Sequence, residues 1–154
     1  MSCIVNKEIR VAESITTMSK EVANLPVVLL VDDSKTIRTT ASVFLKPLAD
    51  QISLTFAKDG FEAVKVITQT RPVLIIADVL MPRLTGYQLC SIVKNDPKNK
   101  KTPFYILSSK DGQIDKAMGS QSGADGYMVK PFKQQDLLEV MAACLGIFPK
   151  PKAA

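Results

Sequence analysis

The sequence predicts an α/β fold: a doubly wound, five-stranded parallel sheet with helices on both faces. Two observations carry this. Short, continuous apolar runs recur along the chain, and each is followed by a stretch whose apolar residues repeat at helical spacing. A third fixes the scale, since 154 residues with 46% hydrophobic content suit one well-filled core plus short tails.

Taken in order, Val27-Val-Leu-Leu-Val31 is apolar throughout, as expected of a parallel strand covered on both faces. Ile37, Ala41, Phe44, Leu45 and Leu48 then give a broad helical stripe, with Ser34 placed to cap it. Residues 52–57 read as a second strand and 61–70 as a weaker helix. Val73-Leu-Ile-Ile-Ala77 is the second fully apolar strand, and Leu89, Ile92 and Val93 mark the helix after it. Residues 104–107 and 126–129 are the last two strands. Between them 114–122 reads as a short helix ended by Gly123, and Leu138, Met141, Ala142 and Leu145 mark a final helix. Residues 26–147 therefore form the domain. Residues 1–25 precede it, with Val5, Ile9, Ala12, Met18 and Val22 loosely on one helical face; an added helix, a partner-binding segment and a mobile arm all fit. Residues 148–154, rich in Pro and Lys, are expected to be disordered.

Composition removes whole classes of chemistry. With no histidine, the chain alone cannot build a Ser-His-Asp triad, a Cys-His pair or a His-ligated zinc site. Cys3, Cys90 and Cys144, odd in number and far apart, suit reduced thiols rather than a disulfide framework. No apolar run reaches the roughly 18–20 residues of a membrane span, and charges interrupt the N-terminus where a signal peptide would be apolar. Membrane insertion is not expected, and a cytoplasmic location is. The formal charge of +5 comes largely from Lys94, Lys98, Lys100, Lys101, Lys150 and Lys152. Such runs are usually solvated loops, so no nucleic-acid partner is expected.

In an open parallel sheet, ligands gather beyond the carboxyl ends of the strands, at the point where strand order reverses. Asp32-Asp33, Asp78, Ser108 and Lys130 fall at those ends. Each has a mundane reading on its own: Asp-Asp-Ser caps helices, serine forms turns, and a lysine before proline is usually a surface residue. Together they suggest a site. Three converging carboxylates repel one another unless a cation compensates, and an oxygen-seeking octahedral ion such as Mg²⁺ suits them. An ionised Asp78 could then attack phosphorus, with the metal and Lys130 offsetting charge on the transferred oxygens and Ser108 donating a hydrogen bond.

The segments Val31-Asp-Asp-Ser-Lys-Thr-Ile-Arg38, Ile75-Ile-Ala-Asp-Val-Leu-Met-Pro82 followed by Gly86, Ile106-Leu-Ser-Ser109 and Gly123-Ala-Asp-Gly-Tyr-Met-Val-Lys-Pro-Phe132 resemble the response-regulator receiver domains of two-component signalling. The resemblance covers about residues 26–147. Within that superfamily, typified by CheY, the motifs look most like the stand-alone PilG-type regulators of twitching motility. It implies strand order 2-1-3-4-5 and phosphorylation on Asp78. It implies Mg²⁺ held by Asp33, Asp78 and the Leu80 backbone carbonyl, with Asp32 acting through metal-bound water. It implies Lys130 paired with the phosphoryl group through a cis Lys130–Pro131 bond, and Ser108 with Tyr127 as the switch pair. The implied partners are a CheA-like histidine kinase or phosphotransfer protein and a downstream effector on the face from Ile114 to Leu145. No output domain is expected after Leu145, and no enzymatic role beyond the chain's own phosphotransfer and dephosphorylation. A constitutive scaffold is the competing binding-module reading. Two enzyme readings fail on residues: a haloacid-dehalogenase-type hydrolase needs an aspartate where Leu80 stands, and no Gly-x-Gly-x-x-Gly follows the first strand.

Overall fold

The computed structural model describes residues 24–109 and 122–150. Five strands, β1 (Val27–Val31), β2 (Ser53–Ala57), β3 (Leu74–Asp78), β4 (Phe104–Ser108) and β5 (Gly126–Val129), form one parallel sheet in the order β2-β1-β3-β4-β5. Three described helices connect strands, α1 (Lys35–Phe44), α2 (Gly60–Thr70) and α3 (Gly86–Asn95), and α4 (Gln134–Leu145) follows β5. The expected helix 114–122 lies outside the described residues apart from Ser122, and the N-terminal segment lies outside them up to residue 23.

Side chains alternate across each strand, so the two faces of the sheet bury different sets. Val28, Leu30, Leu74 and Ile76 pack with Ala41, Leu137 and Met141 on one face. Leu29, Val31, Ile75 and Ala77 pack with Ala63, Ile67, Leu89 and Val93 on the other. All five residues of β3 are buried, as the second apolar run requires of a strand with layers on both sides.

Local chemistry sets the helix boundaries. Ser34, Asp59 and Thr85 cap α1, α2 and α3, accepting from the N–H groups of Ile37, Glu62 and Gln88. Pro47 interrupts the first apolar stripe, so α1 stops at Phe44 and a 3-10 turn, Lys46–Leu48, continues it. Two stripes are rotated from their expected phase. Ile92 is 46% exposed while Leu89 and Val93 are buried, and on α4 the most buried residues are Leu137, Val140 and Met141. At the start of the tail, Gln51 Nε2 donates to the Phe148 carbonyl (2.8 Å) and Lys150 pairs with Asp50 (2.7 Å).

Gly86 sets how closely α3 approaches β3. Its N–H donates to the Val79 carbonyl at 3.1 Å, and a Cβ there would overlap the Asp78 carbonyl oxygen and lie 3.2 Å from Val79 Cα. Both obstacles are backbone, so no rotamer change relieves them. Gly86→Ala is expected to destabilise the fold by about 2–3 kcal/mol, the range for overpacking, as read by urea unfolding. Gly126→Ala meets only the ring of Tyr105, a side chain that can move, and should lose less.

Candidate functional site

Register brings the acidic residues together. Leu30 pairs with Ile76 and Val31 with Ala77, so Asp32 and Asp78 stand side by side one step beyond. Asp78 in turn pairs with Leu107, and Ser108 with Val129, which sets Ser108 and Lys130 at the same rim. A backbone bond from the Lys130 N–H to the Ser108 carbonyl (2.7 Å) closes that side. The rim lies where strand order reverses between β1 and β3, as expected.

Asp32, Asp33 and Asp78 each offer a carboxylate oxygen within 4.8 Å of the others. Asp32 is fully buried, Asp78 is 8% exposed and Asp33 faces solvent. Lys130 Nζ reaches between the first two, 2.8 Å from Asp32 Oδ2 and 3.3 Å from Asp78 Oδ2. The Ser34 N–H holds Asp32 Oδ1 at 2.8 Å. The Lys130–Pro131 bond is cis, and Ser108 is buried at the end of β4. Tyr127, half-buried on β5 opposite Ile106, packs against the helix α2–α3 side of the sheet. Leu80, 76% exposed, contributes its N–H to the Asp78 carboxylate. Every residue singled out from the sequence thus sits at this rim or on the strand leading to it.

Burial pushes the Asp78 carboxyl above the ordinary range; Lys130 opposes that and the neighbouring Asp32 charge adds to it. For Lys130, burial acts to lower the ammonium, but Asp32 and Asp78 outweigh it and leave the group above its ordinary value. A buried oxygen tests the fit to a metal. Buried Asp32 Oδ2 has the Lys130 ammonium at 2.8 Å and no further hydrogen-bond partner among the described residues, so it keeps acceptor capacity. Three hard oxygen donors, one of them on buried Asp32 with spare acceptor capacity, fit a small divalent cation with oxygen preference such as Mg²⁺.

One structural pair escaped sequence reading. Lys94, expected among solvated lysines, has its Nζ 2.7 Å from Asp125 and donates to the Thr102 carbonyl at 2.8 Å. The same Asp125 carboxylate accepts from the Phe104 N–H, so the pair ties α3 to the starts of β4 and β5. The available signal was an aspartate directly before a strand, which the pattern of charges alone does not link to residue 94.

Residues 28–142 match the response regulator receiver domain family. The chain is 47% identical over 116 residues to the protein PilG of Pseudomonas aeruginosa, covering 75% of this chain and 84% of that one. Its fold matches the chemotaxis response regulator CheY4 of Vibrio cholerae with a TM-score of 0.72 and 34% identity, over 79% of this chain and all of the other. It also matches the receiver domain of a Pseudomonas aeruginosa sensor histidine kinase, solved with a magnesium ion coordinated in the active site cleft (TM-score 0.72, 26% identity, 80% and 99% of the two chains). A family match across most of the chain, on top of this sheet order, makes the chain a member of the response regulator receiver domain family.

Proposed function

We propose that this chain is a response-regulator receiver that accepts a phosphoryl group on Asp78 and signals by phosphorylation-dependent protein binding. The observation that carries the proposal is the convergence of Asp32, Asp33 and Asp78 on one point, with Lys130 2.8 Å and 3.3 Å from two of them. Asp33, Asp78 and the Leu80 carbonyl would hold Mg²⁺, with Asp32 acting through a metal-bound water. The ion would supply charge neutralisation at the transferred oxygens. An Asp78 carboxylate oxygen bonds to phosphorus as the bond from phosphorus to the donor nitrogen breaks, and the donor imidazole keeps the electron pair. With no histidine in this chain, that donor lies outside it. Likeness to PilG and to a chemotaxis regulator supports a CheA-like histidine kinase or its phosphotransfer domain, acting in the cytoplasm on type IV pilus twitching or chemotaxis. No enzymatic activity is proposed beyond the chain's own phosphotransfer and dephosphorylation, and no nucleic-acid partner.

The phosphoryl group adds about −1.5 to −2 charges and three acceptor oxygens. Ser108 and Lys130 are joined by their backbones, so drawing either side chain toward phosphate moves the ends of β4 and β5 together. Inverting a 1:99 equilibrium takes about 5.5 kcal/mol. Two or three charge-assisted hydrogen bonds, at roughly 1.5–3 kcal/mol each, can supply it. Tyr127, three residues before Lys130, carries the shift to the effector face reaching from Ile114 to Leu145. A pulldown from cell extract with and without beryllofluoride, on the full chain and on a chain starting at Pro26, tests the reading. A partner retained only with the phosphate mimic is the expected result. Equal retention in both conditions would instead mark a phosphorylation-independent scaffold.

A further inference from the structure

A groove of about 320 Å³ opens at the opposite end of the sheet from the acidic rim, between the edge strand β2 and the last turn of α1 with the 3-10 turn after it. Leu45, Ile52 and Leu54 give it apolar walls, Ser42 and Ala49 are exposed along it, and among the described residues Lys46 is the one charge in its lining. Among the described strands β2 pairs with β1 alone, so its outer edge carries unpaired backbone groups, a feature that proteins usually cover. The C-terminal tail is held nearby at Gln51 and Asp50, but no described tail residue lines the groove. The chain enters the domain beside it. The Ser53 N–H donates to the Pro26 carbonyl at 2.9 Å, and Ser53 stands between Ile52 and Leu54. Val22 lies four positions before Pro26, a reach of at most about 13–14 Å. From there back, Val22, Met18, Ile15 and Val11 repeat at helical spacing, one apolar stripe flanked by Glu21 and Glu8.

We propose that residues 11–22 of this chain dock in the groove as an amphipathic helix, seating Ile15 and Met18 against Leu45, Ile52 and Leu54 and covering the outer edge of β2. The connection selects this occupant over a separate partner. A segment tethered so close meets the groove at an effective concentration in the millimolar range, so a contact too weak to hold a free peptide suffices. Charge agrees, since the carboxylates beside the stripe suit a groove whose charge is Lys46. The lining shares no residue with the acidic rim or with the effector face, so docking needs no phosphoryl group and stands apart from the function proposed above.

Amide hydrogen exchange, read by NMR on the full unphosphorylated chain, tests this. Residues 11–22 are expected to exchange about tenfold slower than the same segment as a free peptide. Ile15→Lys should remove that protection and move the amide signals of Ser42, Ala49 and Leu54. Thr16→Lys, on the far side of the helical pattern, should leave both unchanged. From the groove side, Ala49→Glu should also remove the protection; Ser42→Glu, on an exposed helix position, serves if Ala49→Glu does not fold. Four results would overturn the proposal: free-peptide exchange in the parent, equal losses in Ile15→Lys and Thr16→Lys, protection that survives a folded groove variant, or protection that falls on dilution. The last would place the segment on a second copy of the chain. A failure of Asp78 to accept phosphate would leave every one of these readouts untouched.

Discussion

Asp78→Asn will leave phosphoryl transfer from a histidine kinase at background. The substitution preserves volume and one acceptor oxygen but replaces a carboxylate with an amide, which is not a nucleophile toward phosphorus. The fold should survive. Burial and the Asp32 charge already hold the Asp78 carboxyl above the ordinary range, so ionised Asp78 is a destabilising element wherever no cation relieves it. The sign follows from the raised pKa: the penalty is present at neutral pH and relieved as pH falls through the folded value toward 3.8. A neutral amide removes it, and the variant should match or exceed the parent by about 1–2 kcal/mol in metal-free buffer. Loss of label from a protein at least as stable as the parent assigns the loss to chemistry. Retained label on Asp78→Asn would move the phosphorylation site elsewhere. Labile to hydroxylamine in the parent, the label should behave as an acyl phosphate.

Much of this site is legible in the sequence, because its residues sit at the ends of strands that announce themselves. The runs ending at Val31 and Ala77 are uninterrupted by polar residues, so a carboxylate directly after them has one place to go. Asp78 proved to be the last residue of β3 and Ser108 the last of β4, each one position beyond the apolar limit, since a strand can pair through a polar residue at its end. Helix phase was less legible. On α4, Leu137, Leu138, Val140, Met141, Ala142, Cys144 and Leu145 leave several admissible stripes, and packing against α1 and the sheet selects the one centred on Leu137 and Met141. Least legible were contacts made by charge at long range. Lys94 with Asp125 and Gln51 with Phe148 join residues 31 and 97 positions apart, and no periodic pattern encodes such pairs.

Lys130→Met should produce the second large effect, and on stability as well as signalling. Lys130 is the only described cation within ion-pair distance of Asp32 and Asp78, and Asp32 is fully buried. Methionine keeps the length and apolar stem of lysine while leaving two carboxylates facing each other uncompensated. Removing one partner of a buried pair costs about 3–5 kcal/mol; the Lys130 side chain is 23% exposed, so about 2–3 kcal/mol is expected here, measured by urea unfolding at pH 7 without divalent ions. Two further readouts separate electrostatics from packing. Without Lys130 the Asp78 carboxyl should rise further, so the variant should gain stability on acidification from pH 7 through that raised value toward 3.8. The parent instead has a basic limb: its Lys130 pKa is raised, so the stabilisation is complete below 10.5 and fades as pH climbs through the folded value. Millimolar Mg²⁺ should recover most of the lost stability in Lys130→Met, because the ion replaces the missing positive charge and no longer competes with an ammonium for Asp32 and Asp78. A loss that neither acid nor Mg²⁺ recovers would mean that Lys130 acts through packing, and that the three carboxylates do not share one charge environment.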